Sequence, residues 1–281
     1  MSYKTILAFL GSAGRAPIVL DAAMRLAAKF DAHMTALTVI PQVSVPAIVP
    51  FEVTGDIMEA QQQILEKEAD AIAAVYKKAI AGTSLQHEWR LVRASHYDLS
   101  GTVDAHARSV DLIVAAQSDP AGTAYSPSDV TEDLMMEAGR PILVVPGRTK
   151  AKTIGDRVLV AWNDSREASR AAFDAIPFMQ QAKEVRLLTL DTRLKDAGAV
   201  EIPAAGIAVA LARHGIKPDT AVAEGVAGGT FADSLLAEID RFGADLVVMG
   251  GYGHSRLREL VFGGATHDML SRMPVPVLMS H

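Results

Sequence analysis

Three pairs of segments recur along the chain in the same order, and this duplication limits the fold more than any other feature. KTILAFLGS at Lys4 to Ser12 is similar to RVLVAWNDS at Arg157 to Ser165, VDLIVAA at Val110 to Ala116 to ADLVVMG at Ala244 to Gly250, and RPILVV at Arg140 to Val145 to VPVLMS at Val275 to Ser280. A period of roughly 150 residues is far longer than a solenoid unit, so the chain reads as two copies of one domain. The copies are placed at residues 1–150 and 151–281, joined near the polar, glycine-bounded stretch GRTKAKTIG at Gly147 to Gly155. Within each copy, short Val, Ile and Leu runs alternate with Ala-rich helical stretches, which is the pattern of crossover units on a parallel sheet. The class is therefore α/β. Five strands are expected in the first copy (Lys4 to Phe9, His33 to Ile40, Leu85 to Val92, Asp111 to Ala116, Pro141 to Val145). Five more are expected in the second (Arg157 to Trp162, Val185 to Leu190, Lys217 to Ala223, Asp245 to Met249, Val275 to Met279).

Each copy ends on an apolar run beside a proline. Such a last strand leaves an open edge, and a duplicated chain offers its sister strand as the cover, so the two are expected to meet in a pseudo-twofold pairing. The charge is not that of a nucleic-acid binder: the net charge is -6, and neither half carries more basic than acidic residues. There is no cysteine, which excludes disulfides, thiolate metal sites and cysteine nucleophiles and fits a reducing compartment. The amino terminus lacks the basic segment and cleavage site of a secretory signal, so a cytoplasmic location is expected. The most apolar stretch, Ala36 to Phe51, is interrupted by Pro41, Pro46 and Pro50 and reads as a strand running into a loop, not as a membrane span.

The richest segment for chemistry is GGYGHSRLRELVFGGAT at Gly250 to Thr266, which begins where the run DLVVM ends. Its glycines at 250, 251, 253, 263 and 264 place backbone without Cβ at a strand exit and ahead of an expected helix, Ala265 to Met273. Main-chain N–H groups at a helix start, with the helix dipole behind them, suit an anion such as phosphate. Ligands of open parallel sheets lie beyond the carboxyl ends of the strands, where this segment falls. His254, Arg256 and Arg258 add polar or positive groups, though a solvated loop explains them equally well. The same sheet edge receives the turn VAWNDSREAS, with Ser165 as a helix cap and Asn163 and Asp164 at the turn. The Asn163 amide can donate to and accept from a base edge, while a plain turn hydrogen bond is the competing explanation.

On these residues the chain resembles a tandem universal stress protein, over both halves. The spacing GxxG, nine residues, G at Gly250, Gly253 and Gly263, followed by VPVLM, resembles that family's nucleotide loop, and VAWNDS agrees with it. The resemblance implies two tandem open parallel-sheet nucleotide-binding-like domains that bind ATP, with magnesium as an optional companion held through phosphate and water. It places the base at Asn163, where many members have aspartate, the ribose at Met249 and Gly250, and the phosphates at Gly253, Gly263, Gly264 and Ala265. Gly264 stands where the family commonly has Ser, Thr or Asn, so a hydroxyl is missing and triphosphate binding is expected to be weaker or altered. The first half departs further. Ala116 and Asp119 stand at the GxxG positions, Ser128 and Asp129 at the later glycine pair, and Leu10 is aligned with Asn163. The two aspartates would repel phosphate. A degenerate first copy and nucleotide in the second copy are thus expected.

No catalytic or metal-ligating residues are assigned. His96 and His106, and His254 and His267, are too far apart in sequence to be ligands on one helix turn. The carboxylates Glu59, Glu66, Glu68 and Asp70 fit a solvated helix face, and Ser12 and Ser165 are explained by capping. The expected role is an ATP-binding stress-response protein. Its partners are an adenine nucleotide, the sister domain and, as an option, a second copy in a homodimer. The alternatives are a slow ATPase or phosphotransferase using Asp164 and the arginines, and a nucleotide-free interaction protein.

Overall fold

A computed structural model of the chain describes residues 2–42, 51–95, 98–117, 128–149, 151–190, 204–223, 229–251 and 264–281. Two compact units emerge, Tyr3–Arg140 and Pro141–His281, the latter joined by Ser2. Each of the ten expected strands is present, within a few residues of its expected ends.

The amino-terminal unit runs β1 (Thr5–Phe9), α1 (Ala16–Phe30), β2 (His33–Gln42), α2 (Phe51–Ile80), β3 (His87–Ser95), α3 (Leu99–Ala107), β4 (Leu112–Ala116) and α4 (Ser128–Glu137). Its strands are ordered β3-β2-β1-β4, and the pairings of β1 with β2 and β4 and of β2 with β3 are parallel. The apolar runs form strands because both faces are covered: Ile6, Leu7, Ala8 and Leu112 to Ala115 are at most 1% exposed. Helix α1 buries Ala16, Val19, Leu20, Ala23, Leu26, Ala27 and Phe30, a stripe at helical spacing. Pro17 fits its first turn, and Asp31 ends it in the left-handed region at φ 51°.

The carboxyl-terminal unit runs β5 (Ile142–Val145), β6 (Arg157–Ala161), α5 (Arg166–Asp174), α6 (Ile176–Met179), β7 (Glu184–Leu190), α7 (Ala205–Arg213), β8 (Asp219–Ala223), α8 (Phe231–Phe242), β9 (Leu246–Gly250), α9 (Gly264–Arg272) and β10 (Val277–Ser280). Its strand order is β5-β10-β9-β6-β7-β8. Helix α8 carries a full capping box between Thr230 and Asp233 and stops at Gly243 with φ 68°.

Strand β5 closes the first sequence repeat but pairs antiparallel with β10, as Val144 with Val277, Leu143 with Leu278 and Ile142 with Met279. The terminal strands of the two repeats are thus partners, as expected, and the register is symmetric about Leu143 and Leu278. All six residues are at most 1% exposed. This pairing explains why the units divide at Arg140 and Pro141, whereas the sequence reading divides the chain after residue 150. The stretch between β5 and β6 is fastened rather than a loose tether. Thr149 Oγ1 donates to Pro274 O at 3.0 Å, and Gly155, Asp156 and Arg157 donate their N–H groups to the Asp245 carboxylate at 2.8 to 3.1 Å. Thr153 also donates its hydroxyl to Asp245.

Asp111 does the same in the other unit, accepting from Lys4 N–H, Thr5 N–H and Thr5 Oγ1 at 2.8 to 2.9 Å. Burial pushes its carboxyl up, but these donors outweigh that and hold it below the usual range. These two aspartates pin the entry of each unit's first parallel strand, a role that the matched segments VDLIV and ADLVV contain but that the sequence reading did not draw out. Among the described residues no helix is long and apolar enough to cross a membrane.

Candidate functional site

In the carboxyl-terminal unit β6 and β9 are neighbours, with Val160 opposite Val248, so both open at one sheet edge. Beyond β6 the chain turns through Asn163 and Asp164, both exposed, into α5. Ser165 caps that helix, its Oγ accepting from Ala168 N–H at 3.1 Å. Asn163 Oδ1 accepts from Ser165 N–H at 3.2 Å. That is the turn hydrogen bond weighed against base contact, and it uses Oδ1 and not the Nδ2 amino group. Asp164 lies in the left-handed region at φ 59°, which a short polar side chain tolerates.

Gly250 owes its lack of a side chain to α5. A Cβ there would lie 2.6 Å from Ala168 N and from Glu167 C, and 2.8 Å from Glu167 Cβ. The glycine therefore lets the first turn of α5 rest on the end of β9. Met249 is 5% exposed, its side chain committed to the core. Gly251 donates to Ser280 O at 3.0 Å. Beneath this edge Glu167 is 3% exposed and paired with Arg166 Nη2 at 2.8 Å. Burial pushes its carboxyl up, but its own backbone N–H and Arg166 prevail and keep it below the usual range.

Gly253, Gly263 and the side chains of His254, Arg256 and Arg258 lie outside the described residues. Gly264 and Ala265 form the first turn of α9, close to the expected helix start. The other end of α9 is anchored: Arg272 Nη2 lies 2.6 Å from Asp233 Oδ1, and Nη1 lies 3.2 Å from Asp268 Oδ2. Thr230 joins them, its Oγ1 3.1 Å from Asp268 Oδ2. The Thr230 backbone N–H, then Arg272, hold the Asp233 carboxyl down at about 2.

The equivalence between the units differs from the one read from sequence. Asp111 N–H donates to Thr5 O and Asp245 N–H to Arg157 O, each at 3.0 Å, so Thr5 and Arg157 correspond. At the other end of the strand Leu10 N–H donates to Leu37 O and Trp162 N–H to Leu188 O, each at 2.8 Å. Leu10 therefore corresponds to Trp162, not to Asn163. Both serines accept from a backbone N–H three residues on, Ser12 Oγ from Arg15 and Ser165 Oγ from Ala168, but only Ser165 is a helix cap: α1 has Arg15 at its N-cap position with no side-chain cap bond, so Ser12 does not cap it as expected. One residue, Gly11, separates Leu10 from Ser12, while two, Asn163 and Asp164, separate Trp162 from Ser165. An ungapped alignment anchored on the serines hides that offset, although the whole β1–α1 connection, residues 10–15, is longer than the β6–α5 connection, residues 162–165.

The two strand exits also differ in how their polar groups are met. In the amino-terminal unit Thr38 Oγ1 donates to Leu10 O at 3.1 Å, Leu10 is fully buried, and Ala13 N–H donates to Glu68 Oε1 of α2 at 2.7 Å. The corresponding hydroxyl in the other unit, Thr189 Oγ1, is buried without a hydrogen-bond partner among the described residues. Thr189 was missed in the sequence because threonine near the end of a strand is ordinary there. Among the described residues no group of three or more His, Asp or Glu side chains is placed to hold a metal.

The family model for universal stress proteins matches residues 155–281. A universal stress protein from Archaeoglobus fulgidus matches with TM-score 0.64 at 17% identity, covering 98% of this chain and 95% of that one. A protein of unknown function from Pseudomonas aeruginosa matches with TM-score 0.56 at 16% identity, covering 99% and 92%. No curated protein matches the chain. Residues 155–281 belong to the universal stress protein family, and the chain as a whole has the fold of a tandem pair of such domains.

Proposed function

We propose that this chain is a stress-response protein that binds an adenine nucleotide, ATP in particular, in its carboxyl-terminal unit and acts by binding rather than by turnover. The observation that carries the reading is the contrast between the two strand exits. The exit after β1 is self-satisfied by Thr38, Leu10 and Glu68, whereas the exit after β6 keeps exposed Asn163 and Asp164 and the unpartnered Thr189 hydroxyl. A polar group without an internal partner favours a ligand that supplies one. The base would meet Asn163 through Nδ2, the ribose the backbone of Met249 and Gly250, and the phosphates the N–H groups of Gly253, Gly263, Gly264 and Ala265. Magnesium enters only as a companion of the triphosphate, through phosphate and water.

Calorimetric titration of the full chain with ATP is expected to give one site per chain, lost in Gly263→Asp, with ATP intact after prolonged incubation. Two equivalent sites would overturn the assignment to one unit. No heat at saturating ATP concentrations would overturn the nucleotide reading itself.

A further inference from the structure

The seam between α3 and α4 in the amino-terminal unit carries a charge arrangement opposite to that of its counterpart between α8 and α9. The helices correspond through their following strands, Pro141 matching Pro276, so that Asp133 stands at the place of Asp268 and Glu137 at the place of Arg272. In the carboxyl-terminal unit Arg272 bridges Asp233 and Asp268. In the amino-terminal unit a carboxylate replaces that arginine, and Asp104 is buried in the same seam at 4% exposure. Its Oδ1 has no hydrogen-bond partner among the described residues.

We propose that Asp104 is a proton-holding residue that makes the α3–α4 seam acid-tightened: closed when the carboxyl is protonated, loosened when it ionises. This goes beyond the nucleotide reading and does not rest on it. The groups acting on Asp104 are Asp98 and Arg108 at the two ends of α3 and Asp133 and Glu137 on α4. Asp133 is engaged by Ser100 Oγ at 2.7 Å, which fastens the two helices together but supplies no positive charge. From β3, Arg90 turns to the other side of α3, with Nη1 3.4 Å from His106 Nδ1 and Nη2 on Glu88. The titratable residue of β2, His33, acts on Glu88. Burial pushes the Asp104 carboxyl up; Arg108 opposes this, and Glu137, Asp133 and Asp98 add to it. A protonated Asp104 gains an O–H donor and sheds the repulsion from three carboxylates, so proton uptake and helix packing are linked.

The sign follows. A carboxyl raised in the folded state supports packing fully below its unfolded value and loses that support as pH rises through the raised folded value. Amide exchange of α3 and α4, followed by mass spectrometry on the full chain, tests it against Asp104→Asn at matched pH, where intrinsic exchange cancels. The ratio of opening in the wild type to opening in Asp104→Asn is expected to be near one at the acid end. It should climb with pH and level off above the raised folded value, by about tenfold for every unit by which folding displaces the carboxyl. Glu137→Arg, which restores the charge of the other seam, is expected to flatten the climb without removing Asp104. A protonated-carboxyl infrared band that persists above the usual carboxylate range and vanishes in Asp104→Asn gives a readout independent of packing. A pH-independent ratio, or an infrared band indifferent to Asp104→Asn, would overturn the proposal.

Discussion

The turn after β1 and the turn after β6 descend from the same repeat yet do opposite things with their polar groups. In the first, Leu10 is fully buried, its carbonyl takes the Thr38 hydroxyl, and Glu68 reaches over from α2 to take the Ala13 N–H. In the second, Asn163 and Asp164 are exposed and Thr189 Oγ1 has no partner among the described residues. The lesson is that a strand exit is closed by what its neighbours supply. Where Thr38 and Glu68 reach in, the polar groups are spent within the unit; where they are not met, they stay unused.

This comparison can be broken in three ways, each followed by urea unfolding. Trp162 reports on the carboxyl-terminal unit in a Trp89→Phe background, and Trp89 reports on the other unit in a Trp162→Phe background. The largest effect is expected at the clamps that the two repeats share. Asp245→Ala orphans three backbone N–H groups and should cost about 3 kcal/mol. Asp111→Ala orphans two and should cost less. Because Asp111 is held below its ordinary range, its contribution is present above the unfolded value and disappears as pH falls through the lowered one. Equal losses in the two units would mean that the clamps are not graded by their donors.

A smaller effect is expected where the repeats differ in close packing. Gly250→Ala forces a Cβ into the backbone of α5 and should cost about 2 kcal/mol. The reciprocal Ala116→Gly in β4 should cost about 1 kcal/mol, from strand entropy alone. If Gly250→Ala were neutral, α5 would not rest on β9 as described, and the glycine would have to be explained by a ligand. The smallest effect is at the two serines, of which only Ser165 caps a helix. Ser165→Ala removes a well-formed bond and should cost about 1 kcal/mol. Ser12→Ala should cost well under that, because Arg15 N–H keeps the Ser12 carbonyl as an acceptor.

The class, the ten strands and the meeting of β5 with β10 were legible because they rest on apolar periodicity and on repetition, which survive divergence. The cap at Ser165 was legible for the same kind of reason, since hydroxyl residues ahead of a helix have one dominant use. The correspondence of Leu10 with Trp162 was not recoverable: an ungapped match aligns Ser12 with Ser165 and slips the strand by one, and only hydrogen-bond register separates the two. The reason for Gly250 was hidden as well. A glycine needed for helix contact and a glycine needed for phosphate are the same letter, and here the contact with Glu167 and Ala168 accounts for it. The buried carboxylate at Asp104 also looked unremarkable, because what makes it unusual is the missing arginine across the seam.

The symmetric register of Leu143 with Leu278 has a consequence for how such a chain can change. In a pair of identical subunits every substitution at a two-fold contact strikes both sides at once. Here the two strands are encoded separately, so β5 can vary while β10 stays fixed. Tethering also holds them at high local concentration without any demand on cellular abundance. Fusion thus relieves one copy of the duty to match the other, and sets it at liberty to become something else.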